Sequence, residues 1–225
     1  MRKVLLTLQT AAFCALCATA ACAQNPVVNG GFEAVQLAPG HVVRKNQKPY
    51  DALPAGTSYT FNNLAGIASI PSDAKSASNE VFGSGQAAAE GRQVGFVQGA
   101  SGSFVAQDVA FVAAGRYALS FQAARSTAFG GDAQEIQVTV TGDPGVFALN
   151  QTFMVSKTTF TAFASHPFTV SAGTHTLRFL ANGVVSPAQI SLLDALSIKP
   201  VTAKTASAKT ASAKEEPAPQ HVTRP

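Results

Sequence analysis

An acidic residue inside an apolar strand pattern is the first feature of this sequence that points to chemistry. In residues 190–198, apolar residues recur at every second position, and Asp194 falls in the same register. Strand periodicity therefore predicts that Asp194 points to the core side, on a face shared with Ile190, Leu192, Leu196 and Ile198. An ionised carboxylate there is costly unless something neutralises it. The candidates are a calcium ion, an arginine or backbone N–H groups.

A second acid, Glu33, follows a glycine turn near the other end of the strand-rich region. The first and last strands of a β-sandwich can lie close together, which would bring Glu33 to Asp194. The two acids could then share a hard cation, with carbonyl oxygens such as that of Gly31 completing its shell. The alternative is that each acid is an ordinary turn or surface group.

Aromatic residues are the next candidates, because sugar-binding surfaces rely on flat aromatic faces. The sequence has no Trp, but Tyr50 and Tyr59 lie in or beside long loops. We predict Tyr50 and Tyr59 as ligand-binding residues; the alternative is that Tyr59 and Phe61 belong to the core or a sheet edge. Tyr117 alternates with Leu119 and is predicted to be core.

Catalytic patterns are absent from the sequence. The nucleophile-elbow pattern Gly-x-Ser-x-Gly does not occur, and no His-x-x-x-His pair or dinucleotide glycine pattern is present. His41, His166 and His175 are scattered, and His175 is predicted to be a satisfied, partly buried residue. We therefore expect a protein that is not an enzyme.

Short alternating runs separated by Gly, Asn, Asp, Pro and Ser dominate the chain, and no amphipathic helix is evident between residues 24 and 199. This pattern predicts an antiparallel sandwich or barrel. The predicted strands lie around residues 26–28, 59–61, 93–97, 103–112, 116–122, 135–141, 151–156, 158–163, 166–170, 174–180 and 189–198. Residues 36–56 and 71–92 are predicted to be loops. A β-helix is disfavoured because no short period repeats.

The N-terminus has the pattern of an export signal. Arg2 and Lys3 precede an apolar stretch, and a small-x-small site ends at Ala23, so residues 1–23 are predicted to be a signal peptide. Its apolar run is shorter than the ~20 residues of a membrane span, and no other segment is a candidate. A secreted or periplasmic location follows, with lipid anchoring through Cys22 as the alternative.

The C-terminal residues 200–225 are rich in Thr, Ala, Ser, Lys and Pro, and contain a repeated Lys-Thr-Ala-Ser-Ala unit. Such a segment cannot bury enough apolar surface to fold, so we predict a disordered tail after a single domain at residues 24–199. An electrostatic tether to an anionic surface is the alternative. Residues 24–198 hold nine Lys/Arg and ten Asp/Glu, so the net charge of +4 comes from the ends and gives no indication of nucleic-acid binding.

Several motifs together resemble one fold family. They are Asn-Gly-Gly-Phe-Glu at residues 29–33, the runs at residues 90–99 and 106–125, the hairpin at residues 168–179, and Leu-Asp-Ala-Leu-Ser-Ile at residues 193–198. Over residues 26–198 the chain is similar to galactose-binding-like jelly rolls, a superfamily that includes many carbohydrate-binding modules. The resemblance implies an antiparallel jelly-roll sandwich. In some members it implies a structural Ca²⁺ at positions matching Gly31, Glu33 and Asp194.

The resemblance also implies glycan binding in some members, although Tyr59 stands where members often carry Trp. We therefore expect a secreted, non-catalytic, carbohydrate-binding-like module that engages cell-surface or matrix polysaccharide. The alternative is a structural or adhesion domain of the cell envelope without a small ligand. A hydrolase would need clustered acids or a Ser-His pair in a cleft. The sequence leaves the oligomeric state open.

Overall fold

The computed structural model describes a β-strand domain; the residues it describes are 24–44, 58–70, 81, 86–99, 102–128, 133–142, 146–182 and 189–202. The predicted signal peptide, Tyr50 and residues 203–225 of the predicted tail lie outside the described residues. Within the described part of the chain, no helix is long and apolar enough to cross a membrane.

Twelve strands make up the regular structure of the described residues. They are β1 (Val42–Arg44), β2 (Thr60–Asn62), β3 (Ala65–Ser69), β4 (Gln93–Gln98), β5 (Phe104–Phe111), β6 (Gly115–Arg125), β7 (Gln134–Thr141), β8 (Phe147–Val155), β9 (Thr161–Ala164), β10 (Phe168–Val170), β11 (Gly173–Asn182) and β12 (Ile190–Pro200).

The strands form two antiparallel sheets packed face to face. The seven-stranded sheet has the order β1-β3-β4-β12-β6-β10, with β9 also paired to β6. The five-stranded sheet has the order β2-β5-β11-β7-β8. Every strand pair is antiparallel, which confirms the predicted antiparallel β-sandwich.

Side chains alternate between the two faces of each strand, and those on the inward face form the core between the sheets. In β6, Tyr117, Leu119 and Phe121 point inward, as their spacing predicts. The ring of Phe121 meets the rings of Phe153 and Phe179 edge to face, each at a centroid distance of 5.2 Å. Burying a side chain of this size contributes about 1.5–3 kcal/mol, so these aromatic contacts hold the two sheets together.

The outer face of the seven-stranded sheet carries a second apolar cluster. Val94 and Phe96 of β4 and Ile190 and Leu192 of β12 pack there, on the face opposite the main core. Val81, from the chain between β3 and β4, is fully buried against them. This part of the outer face is therefore covered by the protein's own chain.

A β-bulge in β12 overturns one prediction. The register against β6 shifts between Asp194 and Ser197, and Ala195 has a φ of 52°. One extra residue moves all later side chains to the opposite face. Ile190 and Leu192 consequently belong to the second cluster, whereas Leu196 and Ile198 belong to the main core. The prediction that all five alternate residues share one face was wrong.

The short strand predicted around Val27 is not formed, and residues 26–35 are bends and turns. A buried glutamine takes the place of a partner strand. The Gln107 side chain accepts the Val28 N–H at 2.9 Å and donates to the Val28 carbonyl at 2.7 Å. This side chain satisfies both backbone groups of Val28 and fixes the N-terminal segment to the sandwich.

Candidate functional site

Asp194 is fully buried at the bulge, and backbone amides surround its carboxylate. Oδ2 accepts the N–H groups of Ala89 at 2.9 Å and Glu90 at 3.0 Å, and Oδ1 accepts the N–H of Ala195 at 2.7 Å. Burial raises the pKa of Asp194 to about 7, and the nearby Glu90 carboxylate adds to the rise, while the three N–H groups oppose it. Of the three predicted neutralising groups, the structure shows backbone N–H groups.

Glu33 is bound to the same stretch of chain, residues 86–93. Its Oε1 accepts the N–H of Arg92 at 2.6 Å. Gly91, with a φ of 58°, lies so close that an added Cβ would collide with the Glu33 carboxylate. Gly31 lies in the same way against the Glu90 carboxylate. The structure therefore brings Gly31, Glu33 and Asp194 around one segment, and adds Glu90 to them.

These residues give incomplete support to a calcium site. Calcium takes six to eight oxygen ligands. Among the described residues, no group of three or more His, Cys, Asp and Glu side chains converges closely enough to hold a metal ion. Two N–H groups already bind Oδ2 of Asp194. The chain thus holds the Asp194 carboxylate without a metal, and a cation would have to bind alongside these amides.

Tyr59, one of the two predicted ligand-binding residues, is only 6% exposed. Its ring stacks on Phe32 at a centroid distance of 4.5 Å, and its hydroxyl donates to the Asn29 carbonyl at 3.0 Å. Burial, and secondarily the Asp194 carboxylate, raise the pKa of Tyr59. The ring presents no open face, so this position supports the core alternative rather than ligand binding. Tyr50, the other predicted residue, is outside the described part of the chain.

The structure instead opens a groove on the outer face of the five-stranded sheet. Its volume is about 320 Å³. Strand alternation sends the residues between the core positions of β5, β7 and β11 to this face. The groove is lined by Thr60, Phe104, Ala106, Gln107, Asp108, Thr139, Thr141, Phe147, Thr176 and Arg178.

Apolar and hydrogen-bonding groups alternate across this groove. The Phe147 side chain is 54% exposed at one side. The Arg178 guanidinium carbon lies 3.7 Å from the centroid of the Phe104 ring. Asp108 Oδ1 accepts the Thr176 hydroxyl at 2.8 Å. Such a surface can pack against an apolar patch of a ligand and exchange hydrogen bonds with its polar groups.

Two further polar groups lie beyond the groove on the same sheet face. The Gln137 amide donates to Asn150 Oδ1 at 2.8 Å, and both side chains are accessible to solvent. Thr139, which lines the groove, is paired directly with Asn150. The hydrogen-bonding surface therefore continues from the groove onto β8.

A second cavity of about 390 Å³ lies on the seven-stranded side, lined in part by Gln86, Thr127, Thr158 and Phe160. The Gln86 amide nitrogen donates to the carbonyls of Arg125 and Thr158 at 2.8 and 2.9 Å. Its amide oxygen accepts the Thr127 N–H at 2.9 Å. Since these hydrogen bonds connect the loops around the cavity, Gln86 has a structural role there.

His175 was predicted to be a satisfied, partly buried residue; in the structure it is buried, and both of its ring nitrogens face backbone carbonyls. One ring nitrogen lies 2.7 Å from the Thr141 carbonyl oxygen and the other 3.0 Å from the Ser171 carbonyl oxygen. Both nitrogens are engaged with backbone, so this side chain has no free nitrogen for a ligand.

Sequence reasoning missed Phe147, Arg178 and Asp108. Asp108 and Arg178 occupy non-core positions of alternating strands, where a solvent-facing residue is the ordinary interpretation. Phe147 has the same strand phase as the core residue Leu149, and it faces outward because the register of β8 against β7 shifts between Val140 and Thr141.

No family model matches the chain, and no curated protein matches it. It is similar to solved carbohydrate-binding modules. TmCBM61 in complex with β-1,4-galactotriose is 13% identical with a TM-score of 0.47, over 79% of this chain and 99% of that one. The CBM22-1 xylan-binding domain from Paenibacillus barcinonensis Xyn10C is 11% identical with a TM-score of 0.45, over 75% and 99%.

A third similar structure is the carbohydrate-binding module CBM36 in complex with calcium and xylotriose. It is 15% identical with a TM-score of 0.37, over 47% of this chain and 79% of that one. The predicted antiparallel β-sandwich is confirmed by the two sheets of the structure itself. At these identities, the residues of this chain must carry any argument about function.

Proposed function

We propose that this protein binds polysaccharide through the groove on its five-stranded sheet. The observation that carries the proposal is the exposed Phe147 ring on the same open face as Asp108, Thr176 and Arg178. A sugar ring has a C–H face that packs on an aromatic ring, and hydroxyls that need donors and acceptors. The groove offers an aromatic edge, a carboxylate, hydroxyls and a guanidinium within one surface.

The two outer faces of the sandwich differ in a way that favours this groove. On the seven-stranded sheet, Val81, Ala88 and Phe160 pack over the strands and leave a buried apolar cluster. On the five-stranded sheet, residues of all five strands line one continuous depression. A polymer needs an elongated open surface, which supports the five-stranded side.

The proposed role is binding, without catalysis. Hydrolysis of a glycosidic bond ordinarily uses a pair of carboxyl groups about 5–9.5 Å apart. Among the described residues that line the groove, Asp108 is the single carboxylate, and it is held by Thr176. The composition of the groove therefore favours recognition of a glycan over its cleavage.

A location outside the cytoplasm is part of the proposal, with cell-surface or matrix polysaccharide as the target. Its support is the export-type pattern of residues 1–23. Expression with and without these residues, followed by cell fractionation, tests it. Recovery of the full chain in the cytoplasmic fraction would contradict it.

Retention of the full-length chain on a panel of immobilised polysaccharides tests the binding role. Phe147→Ala should reduce retention at least tenfold while leaving the melting temperature unchanged, because the ring is more than half exposed. Val112→Ala, which shortens another exposed apolar side chain away from the groove, is the matched control. Retention of Phe160→Ala tests whether the second cavity takes part in binding.

Three results would contradict this proposal. Retention that depends on Phe160 and not on Phe147 would move the site to the seven-stranded side. Equal loss in Phe147→Ala and Val112→Ala would show nonspecific adsorption. An absence of retention on every polymer would favour a structural or adhesion domain.

We further propose a structural calcium ion near Asp194. The Asp194 and Glu33 carboxylates both accept N–H groups of residues 86–93, and Gly31 lies against the Glu90 carboxylate of the same segment, which supports it. A bound ion would raise the melting temperature in calcium relative to chelator, and Asp194→Asn would remove the difference. Equal melting temperatures of the wild type in calcium and in chelator would contradict the proposal of a bound calcium ion.

A further inference from the structure

We propose that the groove selects anionic polysaccharides, whose carboxylate or sulfate groups bind Arg178. This inference rests on the proposed binding function and narrows it to one class of glycan. It follows from the position of Arg178, the packing of its guanidinium and the groups around it.

Arg178 lies at the middle of the groove floor. Its strand, β11, is the central strand of the five, between β5 and β7. Arg178 is paired with Ala106 on one side and Thr139 on the other, both of which line the groove with small side chains. A ligand lying across the sheet must therefore pass over this guanidinium.

The guanidinium is held in place by packing. Its carbon lies 3.7 Å from the centroid of the Phe104 ring, and the residue is half-buried. A cation over an aromatic face is stabilised, and contact at this distance limits the rotation of a long side chain. Arg178 is therefore preorganised before a ligand arrives, which lowers the entropic cost of binding.

No described residue forms a hydrogen bond or an ion pair with the Arg178 side chain. The ring contact occupies one side of the guanidinium and leaves its N–H donors available to a ligand. A planar guanidinium matches a carboxylate or sulfate through two parallel hydrogen bonds. A half-buried, unpaired cation in a groove is best matched by an anion, because pairing offsets the cost of its partial desolvation.

The surrounding groups match the rest of an acidic sugar. Asp108, paired with Thr176 on β11, lies on the same face as Arg178 and about 7–8 Å away along the diagonal of the sheet. Its exposed carboxylate accepts hydrogen bonds from sugar hydroxyls. Phe147 provides the apolar edge on the far side of β7. The groove thus has separate positions for an anion, for hydroxyls and for a C–H face.

Binding of the full-length chain to matched polymer pairs tests this inference. Polygalacturonate and its methyl ester differ in charge and share a backbone, as do dextran sulfate and dextran; alginate adds a second uronate polymer. We expect the wild type to bind a charged member at least tenfold more tightly than its neutral counterpart. The carboxylated and sulfated arms identify which anion is preferred.

Variants assign the selectivity to Arg178. Arg178→Gln should weaken binding to the charged polymer roughly 10- to 100-fold, the loss expected for charge-assisted hydrogen bonds, and should leave binding to neutral polymers unchanged. Arg178→Lys should retain part of the affinity because it keeps the charge and loses the planar fork. Arg116→Gln, which removes an equal charge from β6 of the other sheet, should have no effect.

The outcomes separate this inference from the function on which it rests. Retention on neutral polymers that depends on Phe147 and is indifferent to Arg178→Gln would overturn the anion preference and keep glycan binding. Equal weakening by Arg178→Gln and Arg116→Gln would also overturn it, because a general charge effect would then suffice. Binding to no polymer at all would overturn both.

Discussion

The buried carboxylate of Asp194 should make the domain less stable as the pH rises. Its folded pKa of about 7 lies above the ordinary value of 3.8, so the folded state holds a proton that the unfolded state releases. The favourable contribution is complete below pH 3.8 and is lost as the pH rises through 7. The full difference is about 4 kcal/mol, and about 2.5 kcal/mol of it falls between pH 5 and pH 8.

Urea unfolding of the wild type and of Asp194→Asn at pH 5 and pH 8, in chelator, measures this contribution. The variant lacks the titrating group. Its single amide oxygen can face the Ala89 and Glu90 N–H groups, which leaves the NH2 group against the Ala195 N–H and costs about 1–3 kcal/mol at both pH values. Wild type should therefore lose about 2.5 kcal/mol relative to the variant between the two pH values. Asp108→Asn, at an exposed position, should leave the wild-type pH dependence in place.

A wild-type stability that does not fall relative to Asp194→Asn between pH 5 and pH 8 would refute the reasoning. It would mean that the three amide N–H groups outweigh burial and keep the carboxylate ionised throughout. Repeating the series in calcium tests whether a bound ion changes this pH dependence. An ion bound at Asp194 favours the ionised form and should reduce or reverse the pH dependence.

Three other substitutions test the packing around the N-terminal segment. Gln93→Glu should lower the free energy of unfolding by about 2–4 kcal/mol, because the buried Gln93 amide donates to two carbonyls. As a control, Gln36→Glu at an exposed position should lower it by less than about 1 kcal/mol, and urea unfolding measures both values. Tyr59→Phe should cost about 1 kcal/mol in the same assay and leave polysaccharide retention unchanged, and a loss of retention would restore Tyr59 to the site. Gly95→Ala should cost about 1–3 kcal/mol or more, because its Cβ would collide with the Phe32 ring; an unchanged melting temperature would contradict this packing.

Regular alternation made much of the fold predictable. β6, β7 and β11 lie where the period-two pattern places them. β3 was missed because all five of its residues are buried, so its sequence shows no alternation. Its Gly66 also packs directly against the backbone of β1, a contact that depends on tertiary structure.

The bulge in β12 could not be predicted from its sequence. An apolar residue at every second position looks the same whether the strand continues regularly or gains one residue, and only the pairing with β6 reveals the shift at Asp194. The burial of Asp194 was predicted correctly because residue 194 precedes the shift. Two of the three N–H groups that bind its carboxylate come from residues 89 and 90, about a hundred positions away.

The groove was beyond sequence reasoning because its residues meet only through strand pairing. Asp108 pairs with Thr176, and Arg178 pairs with Thr139, across long separations in the chain. Each residue alone has the pattern of an exposed strand position. The burial of Tyr59 could not be read from the sequence either, because it depends on the Phe32 ring that stacks on it.

The N-terminal segment and the last strand are fastened to each other, and this has a mechanical consequence. Asn25 accepts the Ile198 N–H at 2.9 Å, and Leu196 donates to the Gly30 carbonyl at 3.0 Å. The two stretches run antiparallel, so tension applied between residues 25 and 198 would break these hydrogen bonds one after another rather than all at once. The residues before Val28 would then separate first, up to the point where Gln107 holds Val28, with both sheets still unstretched.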